Sequence, residues 1–396
     1  MSRLGPTLDS LAAQRRRWRE LMRDIPTFPA PAGLAEALGD AARGAAGDAG
    51  RLTEVSDFGA NPGTLRMFTY APSALPPAPA LVVSLHGCTQ TAAGFDRGTG
   101  WSALADRYGF VVLAPQQRPA NNPKACFNWF LPGDTTRSRG EAASIRAMIE
   151  HAIVDRGIDR RRVFVTGLSA GGAMTSAMLA TYPDVFAAGA IIAGLPYGAA
   201  GNVQQAFEAM FQGRTHTARE WGDRVRAASA YRGPWPRVSV WHGGVDATVV
   251  PSNAREIVKQ WANVHGLDPA RGRAETVDGF PHEVWRDAAG ERVIESYTIP
   301  DMAHGVPLAT RAAMPNSDVA YGAAGPFLLE AGISSSYRIA EFFGLTEAAS
   351  ATAAKPAQTE SAALLSAPPL PPPRGFDVGA VIAKALRAAG LMKSGG

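Results

Sequence analysis

The pentapeptide Gly167-Leu168-Ser169-Ala170-Gly171 decides the fold of this chain, because of the residues on either side of it. Residues 162–166 form a β-branched, apolar run of strand length, and the small residues at 172–180 predict a helix. A Gly-x-Ser-x-Gly sequence between a strand and a helix is typical of a nucleophile elbow, in which the serine lies on a sharp, strained turn. An ordinary strand-to-helix turn does not require a glycine on both sides. The sequence therefore predicts Ser169 as a nucleophile.

A serine nucleophile needs a histidine that takes its proton and a carboxylate that orients the histidine. In enzymes with this elbow the order along the chain is serine, acid, histidine, so both partners are expected after Ser169. Asp246 is at the tip of the turn after the predicted strand 237–242, and His304 is in the loop after the predicted strand 292–299. The sequence therefore predicts Asp246 as the orienting carboxylate and His304 as the general base.

Other residues compete for these roles. His282 is in a predicted turn between two strands and is the alternative base. Asp301 is the alternative acid, although it is too close in sequence to His304 for the usual arrangement on separate loops. His242 is inside a predicted strand and is interpreted as a buried histidine or as an aid to the acid loop.

Two backbone N–H groups are also needed to bind the oxyanion of a tetrahedral intermediate. The first is predicted to belong to Ala170, at the start of the helix after the nucleophile. The second is expected on the loop after the apolar strand 80–85, where a His-Gly step lets the backbone approach the substrate closely. The N–H of Cys88 is the candidate, and the side chain of His86 is interpreted as a brace for this loop.

Strands alternate with helices through the central part of the chain. Strands are predicted near residues 64–70, 80–85, 109–114, 162–166, 188–193, 237–242 and 292–299, and helices near 101–108, 138–155, 171–181, 252–265 and 334–343. This alternation predicts a mostly parallel central sheet with helices on both faces, and together with the elbow at Ser169 it predicts an α/β-hydrolase fold. The chain has 396 residues, of which 46% are hydrophobic, so a large core is expected.

Five sequence motifs occur in the order found in a known family. They are His86-Gly-Cys-Thr-Gln90, Cys126-Phe-Asn-Trp-Phe130, Gly167-Leu-Ser-Ala-Gly-Gly172, His242-Gly-Gly-Val-Asp246 and Met302-Ala-His-Gly305. Together they resemble the poly(3-hydroxybutyrate) depolymerase family of esterases, which is related to feruloyl and acetylxylan esterases. The resemblance implies an esterase that uses Ser169, Asp246 and His304 as its triad and needs no metal or other cofactor.

The predicted function is hydrolysis of carboxylic esters through an acyl-enzyme. The resemblance implies hydroxyalkanoate polymers or oligomers as substrates, with the aromatic or acetyl esters of plant cell walls as the alternative. A non-catalytic adaptor that binds a hydrophobic granule or a membrane is the alternative from a different class. The complete set of triad residues argues against an adaptor, because a binding protein has no need of them.

The resemblance also favours a disulfide between Cys88 and Cys126, the two cysteines of the chain, with two buried free thiols as the alternative. An aromatic run follows Cys126. Its Trp129 and Phe130 are candidate substrate-binding residues, because hydrophobic esters need flat apolar walls. An aromatic core cluster is the competing interpretation.

The chain divides into a catalytic domain and two basic ends. Residues 1–50 contain a predicted basic amphipathic helix, 51–346 the α/β-hydrolase domain, 347–374 an Ala- and Pro-rich linker, and 375–396 a second amphipathic helix. Residues 196–235 are too long for a normal connection. They are predicted to be either a cap over the active site or a peripheral pair of helices.

The net charge of +4 comes from the two basic ends of the chain, so the catalytic domain is not expected to bind nucleic acid. The terminal helices are predicted either to contact a polymer granule or membrane surface or to dock on the catalytic domain. The N-terminus lacks the pattern of a signal peptide, which predicts a cytoplasmic protein, whereas the family resemblance implies export. The sequence leaves the oligomeric state open.

Overall fold

The computed structural model describes residues 50–314 and 317–346. The two predicted terminal helices and the predicted linker therefore lie outside the described residues. The strands are β1 (Thr53–Val55), β2 (Arg66–Tyr70), β3 (Leu81–Leu85), β4 (Val111–Gln116), β5 (Val163–Leu168), β6 (Ala188–Ile192), β7 (Arg237–Gly243), β8 (Arg273–Val277), β9 (Phe280–Arg286), β10 (Arg292–Ile299), β11 (Val306–Leu308) and β12 (Leu328–Glu330). The α-helices are α1 (Ala92–Thr99), α2 (Trp101–Tyr108), α3 (Pro132–Thr135), α4 (Gly140–Arg156), α5 (Ala170–Thr181), α6 (Val203–Phe211), α7 (Ala218–Ala227), α8 (Ser252–Val264) and α9 (Ser335–Phe342).

The central sheet has ten strands in the order β1-β2-β4-β3-β5-β6-β7-β10-β9-β8. Strands β4, β3, β5, β6, β7 and β10 run parallel to one another. Strands β2 and β1 extend one side of the sheet, and β9 and β8 the other, in antiparallel pairs. Strands β11 and β12 form a separate parallel pair. The mostly parallel sheet that the sequence predicts is confirmed.

Two hydrophobic clusters cover the sheet, and alternate residues of β3 belong to different clusters, as expected for its two faces. One cluster contains Met148 of α4, Met174 of α5 and Trp261 of α8. The other contains Phe95 of α1 and Phe342 of α9. Helices therefore lie on both faces of the sheet. Among the described residues, no helix combines the length and the apolar character needed to cross a membrane.

The helix after the predicted nucleophile is fully enclosed. Every residue of α5 is buried, and so is every residue of β3, β5 and β6. The small side chains of α5 allow this close packing, since a Cβ at Gly172 would lie 2.8 Å from the carbonyl oxygen of Ile192. The elbow between β5 and α5 is consequently held by packing on both sides.

The hairpin of β8 and β9 differs from the sequence prediction, which puts a turn at His282. Asp278 and Gly279 form the actual turn, with φ of 51° and 85°, values that suit the two-residue turn of a hairpin. His282 lies inside β9 opposite Tyr297 and is buried. Its Nε2 lies 3.3 Å from Oε2 of Glu295, so its polar partner is a residue of the sheet.

The long connection 196–235 contains α6 and α7. Trp221 of α7 donates from Nε1 to Oε2 of Glu256 on α8, at 2.6 Å. Helix α6 packs through Ala206 against Phe130, in the aromatic run that follows Cys126. Both helices of this connection are therefore attached to the α/β body.

Candidate active site

Ser169 lies between the end of β5 and the start of α5, with φ 57° and ψ −116°. A residue other than glycine is strained in this region, and such strain is common at functional sites. Glycine is required at positions 167 and 171 because backbone atoms lie where a Cβ would be. A Cβ at Gly171 would lie 2.2 Å from the carbonyl oxygen of Leu85, and one at Gly167 would lie 2.5 Å from the carbonyl oxygen of Gly171. The elbow predicted from the pentapeptide is present in the structure.

The three predicted triad residues follow β5, β7 and β10, at the carboxyl edge of the parallel strands. Backbone hydrogen bonds connect the loops along this edge. The Ala193 N–H donates to the Trp241 carbonyl at 2.8 Å, and the Gly244 N–H donates to the Ile299 carbonyl at 2.8 Å. Crevices outside the carboxyl ends of parallel strands are where open α/β sheets bind ligands.

The structure brings Asp246 and His304 together. Nδ1 of His304 donates to Oδ2 of Asp246 at 2.7 Å. The other carboxylate oxygen, Oδ1, accepts from the backbone N–H groups of Thr248 and Val249, both at 2.8 Å. These contacts fix the carboxylate and place the proton of the neutral imidazole on Nδ1, which leaves Nε2 as a proton acceptor.

Asp246 is 3% exposed. Burial by itself would raise its pKa, but hydrogen bonds from His242 and His304, together with the charges of these imidazoles, hold the pKa of Asp246 well below its usual range. The carboxylate is therefore ionised throughout the pH range in which ester hydrolysis is assayed, and it can stabilise an imidazolium at His304.

The nucleophile and the base do not form a hydrogen bond among the described residues. Ser169 and His304 are each 9% exposed, so both keep some solvent-accessible surface. Catalytic hydrogen bonds are often long in enzymes without a substrate and tighten when a substrate binds. Ser169, Asp246 and His304 lie at the same edge of the sheet.

The predicted oxyanion donors lie on the loop after β3 and at the start of α5, which are in close contact. A Cβ at Gly171 would also lie 2.6 Å from the carbonyl oxygen of His86, so the start of α5 packs against the loop after β3. The N–H groups of Cys88 and Ala170 donate no hydrogen bond to another described residue. Gln90 stabilises the loop, because its Oε1 accepts from the Gly87 N–H at 2.8 Å.

His86 braces this loop, in line with the sequence interpretation. It is fully buried. Nδ1 donates to the Gly87 carbonyl at 2.7 Å, and Nε2 accepts from the Gln117 N–H at 3.1 Å. Burial lowers the pKa of His86 to about 4, although the hydrogen bond to the Gly87 carbonyl acts in the opposite direction. The neutral imidazole therefore connects the loop after β3 to the end of β4.

We expect His86 to make the fold sensitive to acid. Its pKa of about 4 in the folded protein is below the ordinary histidine value of 6.5, so the unfolded chain binds this proton more readily. The contribution of His86 to the free energy of unfolding is complete at pH values above its pKa in the unfolded chain. It is lost as the pH falls through its pKa in the folded protein, and the loss amounts to about 3 kcal/mol. Urea unfolding across this pH range should show a shallower pH dependence for His86→Gln than for the wild type. His151→Gln on α4 is the control and should keep the wild-type dependence. Equal slopes for all three proteins would contradict this role of His86.

Cys88 and Cys126 are joined by a disulfide in the structure, with a sequence separation of 38. It connects the loop of the predicted oxyanion donor to the segment before the aromatic run. The Thr89 N–H donates to the Lys124 carbonyl at 2.7 Å beside it. The disulfide therefore ties the loop after β3 to the segment that precedes the aromatic run.

Loss of this disulfide should destabilise the protein by about 2–4 kcal/mol, because the reduced unfolded chain gains conformational freedom. The free energy of unfolding should fall on adding reductant to the wild type. The double variant Cys88→Ala/Cys126→Ala should be equally destabilised and should not respond to reductant. Two titratable thiols in unfolded, unreduced protein from an oxidising host would show that the bond does not form.

The two candidate substrate-binding aromatics differ in burial. Phe130 is 6% exposed and packs with Leu131 and Ala206, an environment that favours the competing interpretation of an aromatic core cluster. Trp129 is half-buried and packs against the cluster that contains Ala173 of α5. Trp129 is therefore the member of the pair that retains surface for a substrate.

Phe327 is a residue of the site that sequence reasoning missed. Its ring centroid lies 6.0 Å from that of His304, in an edge-on arrangement. Its φ of 62° is unusual for a bulky residue. Gln90 donates from Nε2 to the Pro326 carbonyl at 3.4 Å, which connects this segment to the loop after β3. The preceding Gly- and Pro-containing sequence indicates a loop only, and carries no signal for this contact.

These groups can perform acyl transfer. A serine on a strained elbow, an imidazole oriented by an ionised carboxylate and two free backbone N–H groups are the parts that such chemistry requires. Within residues 50–314 and 317–346, no group of three or more His, Cys, Asp or Glu side chains is placed to hold a metal ion.

Comparisons with known proteins agree with this chemistry. Residues 67–280 match the family described as Esterase PHB depolymerase. Poly(3-hydroxyalkanoate) depolymerase C of Paucimonas lemoignei is 48% identical over 295 residues, which cover 74% of this chain and 70% of that protein. Acetylxylan esterase of Coprinopsis cinerea is 37% identical over 65% of this chain and 70% of its own length. The solved structure of the acetyl xylan esterase from Aspergillus awamori has a TM-score of 0.62 and 27% identity, and it covers 75% of this chain and 100% of that chain.

Proposed function

The chain belongs to the PHB depolymerase family of esterases, and from this we propose that it hydrolyses polyhydroxyalkanoates, such as poly(3-hydroxybutyrate), or their oligomers through an acyl-enzyme. The observation that carries the mechanism is the 2.7 Å hydrogen bond between His304 and Asp246 at the sheet edge where the Ser169 elbow lies. The substrate class rests on the 48% identity to a depolymerase.

In the proposed mechanism Ser169 Oγ attacks the ester carbonyl while His304 Nε2 accepts its proton. Asp246 holds the imidazole in the required tautomer and stabilises its charged form. The N–H groups of Cys88 and Ala170 bind the oxyanion of the tetrahedral intermediate. His304 then returns the proton to the departing alcohol, which leaves an acyl group on Ser169. Water activated by His304 hydrolyses this acyl-enzyme.

The second candidate substrate class is the aromatic and acetyl esters of plant cell walls. Acetylxylan esterase of Coprinopsis cinerea at 37% identity and feruloyl esterase B of Neurospora crassa at 36% favour it. Depolymerases and cell-wall esterases both cleave a carboxylic ester, so the same catalytic residues can serve either class of substrate. The walls of the cleft, including Trp129 and Phe327, are the residues through which selection between them is expected.

A fluorophosphonate probe and a substrate panel test the proposal. The probe should add its mass to Ser169, because only an activated serine reacts with it. Turnover should be highest for hydroxybutyrate oligomers and amorphous polymer, compared with methyl ferulate and acetylated xylan. Highest turnover of methyl ferulate or acetylated xylan would favour the second class. No labelling and no turnover would favour a non-catalytic adaptor.

Contact with a polymer granule or membrane surface is proposed for the terminal segments. Their basic charge and the helical spacing of their apolar residues support this part of the proposal. The same polymer assay tests it when the full chain is compared with a chain truncated after Leu345. Truncation should weaken adsorption to polymer particles without changing turnover of a soluble ester, whereas unchanged adsorption would contradict surface contact.

A further inference from the structure

His242, at the end of β7, has a defined tautomer. It is 2% exposed, and its Nε2 lies 2.8 Å from the Val249 carbonyl oxygen. A carbonyl oxygen only accepts hydrogen bonds, so Nε2 carries the proton of the neutral ring. The Val249 N–H in turn donates to Oδ1 of Asp246. Val249 thus fixes both the proton of His242 and one oxygen of the carboxylate.

The same nitrogen also lies near the carboxylate oxygen that His304 uses. His242 Nε2 lies 3.4 Å from Oδ2 of Asp246, the oxygen that accepts from His304 Nδ1 at 2.7 Å. Two imidazoles therefore approach one carboxylate oxygen, at a short and a longer distance. The side chain of Asp246 is completely buried, so these contacts are not exchanged for contacts with water.

The opposite nitrogen of His242 has no role in the sheet. Nδ1 is buried and has no hydrogen-bond partner among the described residues. His242 lines a cleft of about 630 Å³ between α8 and strands β8 to β10. The other charged or titratable side chains that line it are Arg255, Lys259, Glu275, His282 and Glu283. Nε2 is therefore the ring nitrogen that contacts polar groups of the protein. Both groups, the Val249 carbonyl and the Asp246 carboxylate, belong to the loop that follows β7.

We propose that His242 is a positioning residue for the triad, whose Nε2–H, oriented by Val249, holds the Asp246 carboxylate in the orientation that accepts from His304. This inference rests on the proposed ester hydrolysis. His242 acts through Asp246 and does not touch the substrate. An N–H near Oδ2 also draws negative charge away from His304, which limits how strongly the carboxylate favours the imidazolium form.

The experiment compares kcat/KM across pH for a soluble p-nitrophenyl ester in the wild type, His242→Leu and His242→Gln. Leucine removes the donor and should lower kcat on the order of tenfold, the effect of one lost hydrogen bond to a charged group. It should also move the midpoint of the acidic limb to higher pH, because the full carboxylate charge then stabilises protonated His304. Glutamine offers an N–H near the position of Nε2 and should restore both quantities toward the wild type.

His265→Leu is the matched control. His265 is another imidazole whose Nε2 contacts a backbone carbonyl, that of Pro236 at 3.1 Å, but no carboxylate of the triad. It should lower the melting temperature without moving the midpoint. His242→Asn covers the case in which the leucine variant does not fold, since its shorter amide cannot reach Asp246 and should move the midpoint as leucine does.

The positioning role would be wrong if the pH midpoint of kcat/KM does not move in His242→Leu or His242→Asn and kcat falls only in proportion to the melting temperature. His242 would then contribute to packing alone. The positioning role would also be overturned if His242→Gln has the same kcat and the same pH midpoint as His242→Leu. Either result with an active wild type leaves the proposed ester hydrolysis intact. A wild type that hydrolyses no ester would overturn both proposals.

Discussion

Ser169→Ala is expected to lower kcat for ester hydrolysis by a factor on the order of a million, because nucleophile and base act as one unit. The fold should be retained, since alanine adopts the same strained backbone. Ser169→Gly is the matched variant. It should be equally inactive, but it relieves the positive φ of 57° and should raise the free energy of unfolding by about 1 kcal/mol. Steady-state kinetics and urea unfolding of both variants check these expectations.

The assignment of the base is tested in the same series. His304→Ala should lose activity as Ser169→Ala does, whereas His282→Ala should retain it, because His282 contacts Glu295 inside the sheet. An inactive His282→Ala beside an active His304→Ala would reverse the assignment. Retained turnover in Ser169→Ala would exclude the serine mechanism itself.

Asp246→Asn should lower kcat by a factor on the order of ten thousand. The amide can still accept a hydrogen bond through its oxygen. Its NH2 group, however, donates to Nδ1 and so favours the tautomer of His304 that carries its proton on Nε2. In that tautomer Nε2 cannot accept the proton of Ser169. KM for a soluble ester should change little, since Asp246 is buried and does not face the substrate.

Asp301→Asn is the control for this substitution. Asp301 is exposed, and the structure gives it no contact with His304. Its asparagine variant should therefore retain the activity of the wild type. Loss of activity in Asp301→Asn, with Asp246→Asn still active, would identify Asp301 as the acid.

The central sheet, and the positions of the proposed triad residues after its strands, could be predicted because their signals are local. Each triad residue follows an apolar strand, and the order of the three along the chain is fixed by the type of elbow. Burial on both faces gives β3, β5 and β6 continuous apolar sequences that alternate with helices. Asp278-Gly279 also carries a local signal, because an Asp-Gly pair between two strands favours a two-residue hairpin turn.

The remaining features depend on contacts between distant parts of the chain. The approach of His242 to Asp246 requires the path of the turn that brings Val249 back over the end of β7. The position of Phe327 beside His304 follows from the pairing of β11 with β12, which are short and carry little pattern. The burial of Phe130 depends on α6, which belongs to the long connection. No periodicity within one segment specifies such contacts.

The carboxyl ends of the parallel strands carry the proposed catalytic residues, and the amino ends do not. This difference matters when the protein is attached to a solid support. Within the described residues the lysines are Lys124, beside the disulfide, and Lys259, in the cleft of His242. Coupling through Lys124 would anchor the protein beside the disulfide, and coupling through Lys259 would anchor it by α8 at the cleft of His242. Arg161 precedes β5 at the amino ends of the strands, and its side chain is 90% exposed. A unique coupling group at that turn would orient the immobilised catalyst with its cleft toward the bulk solution.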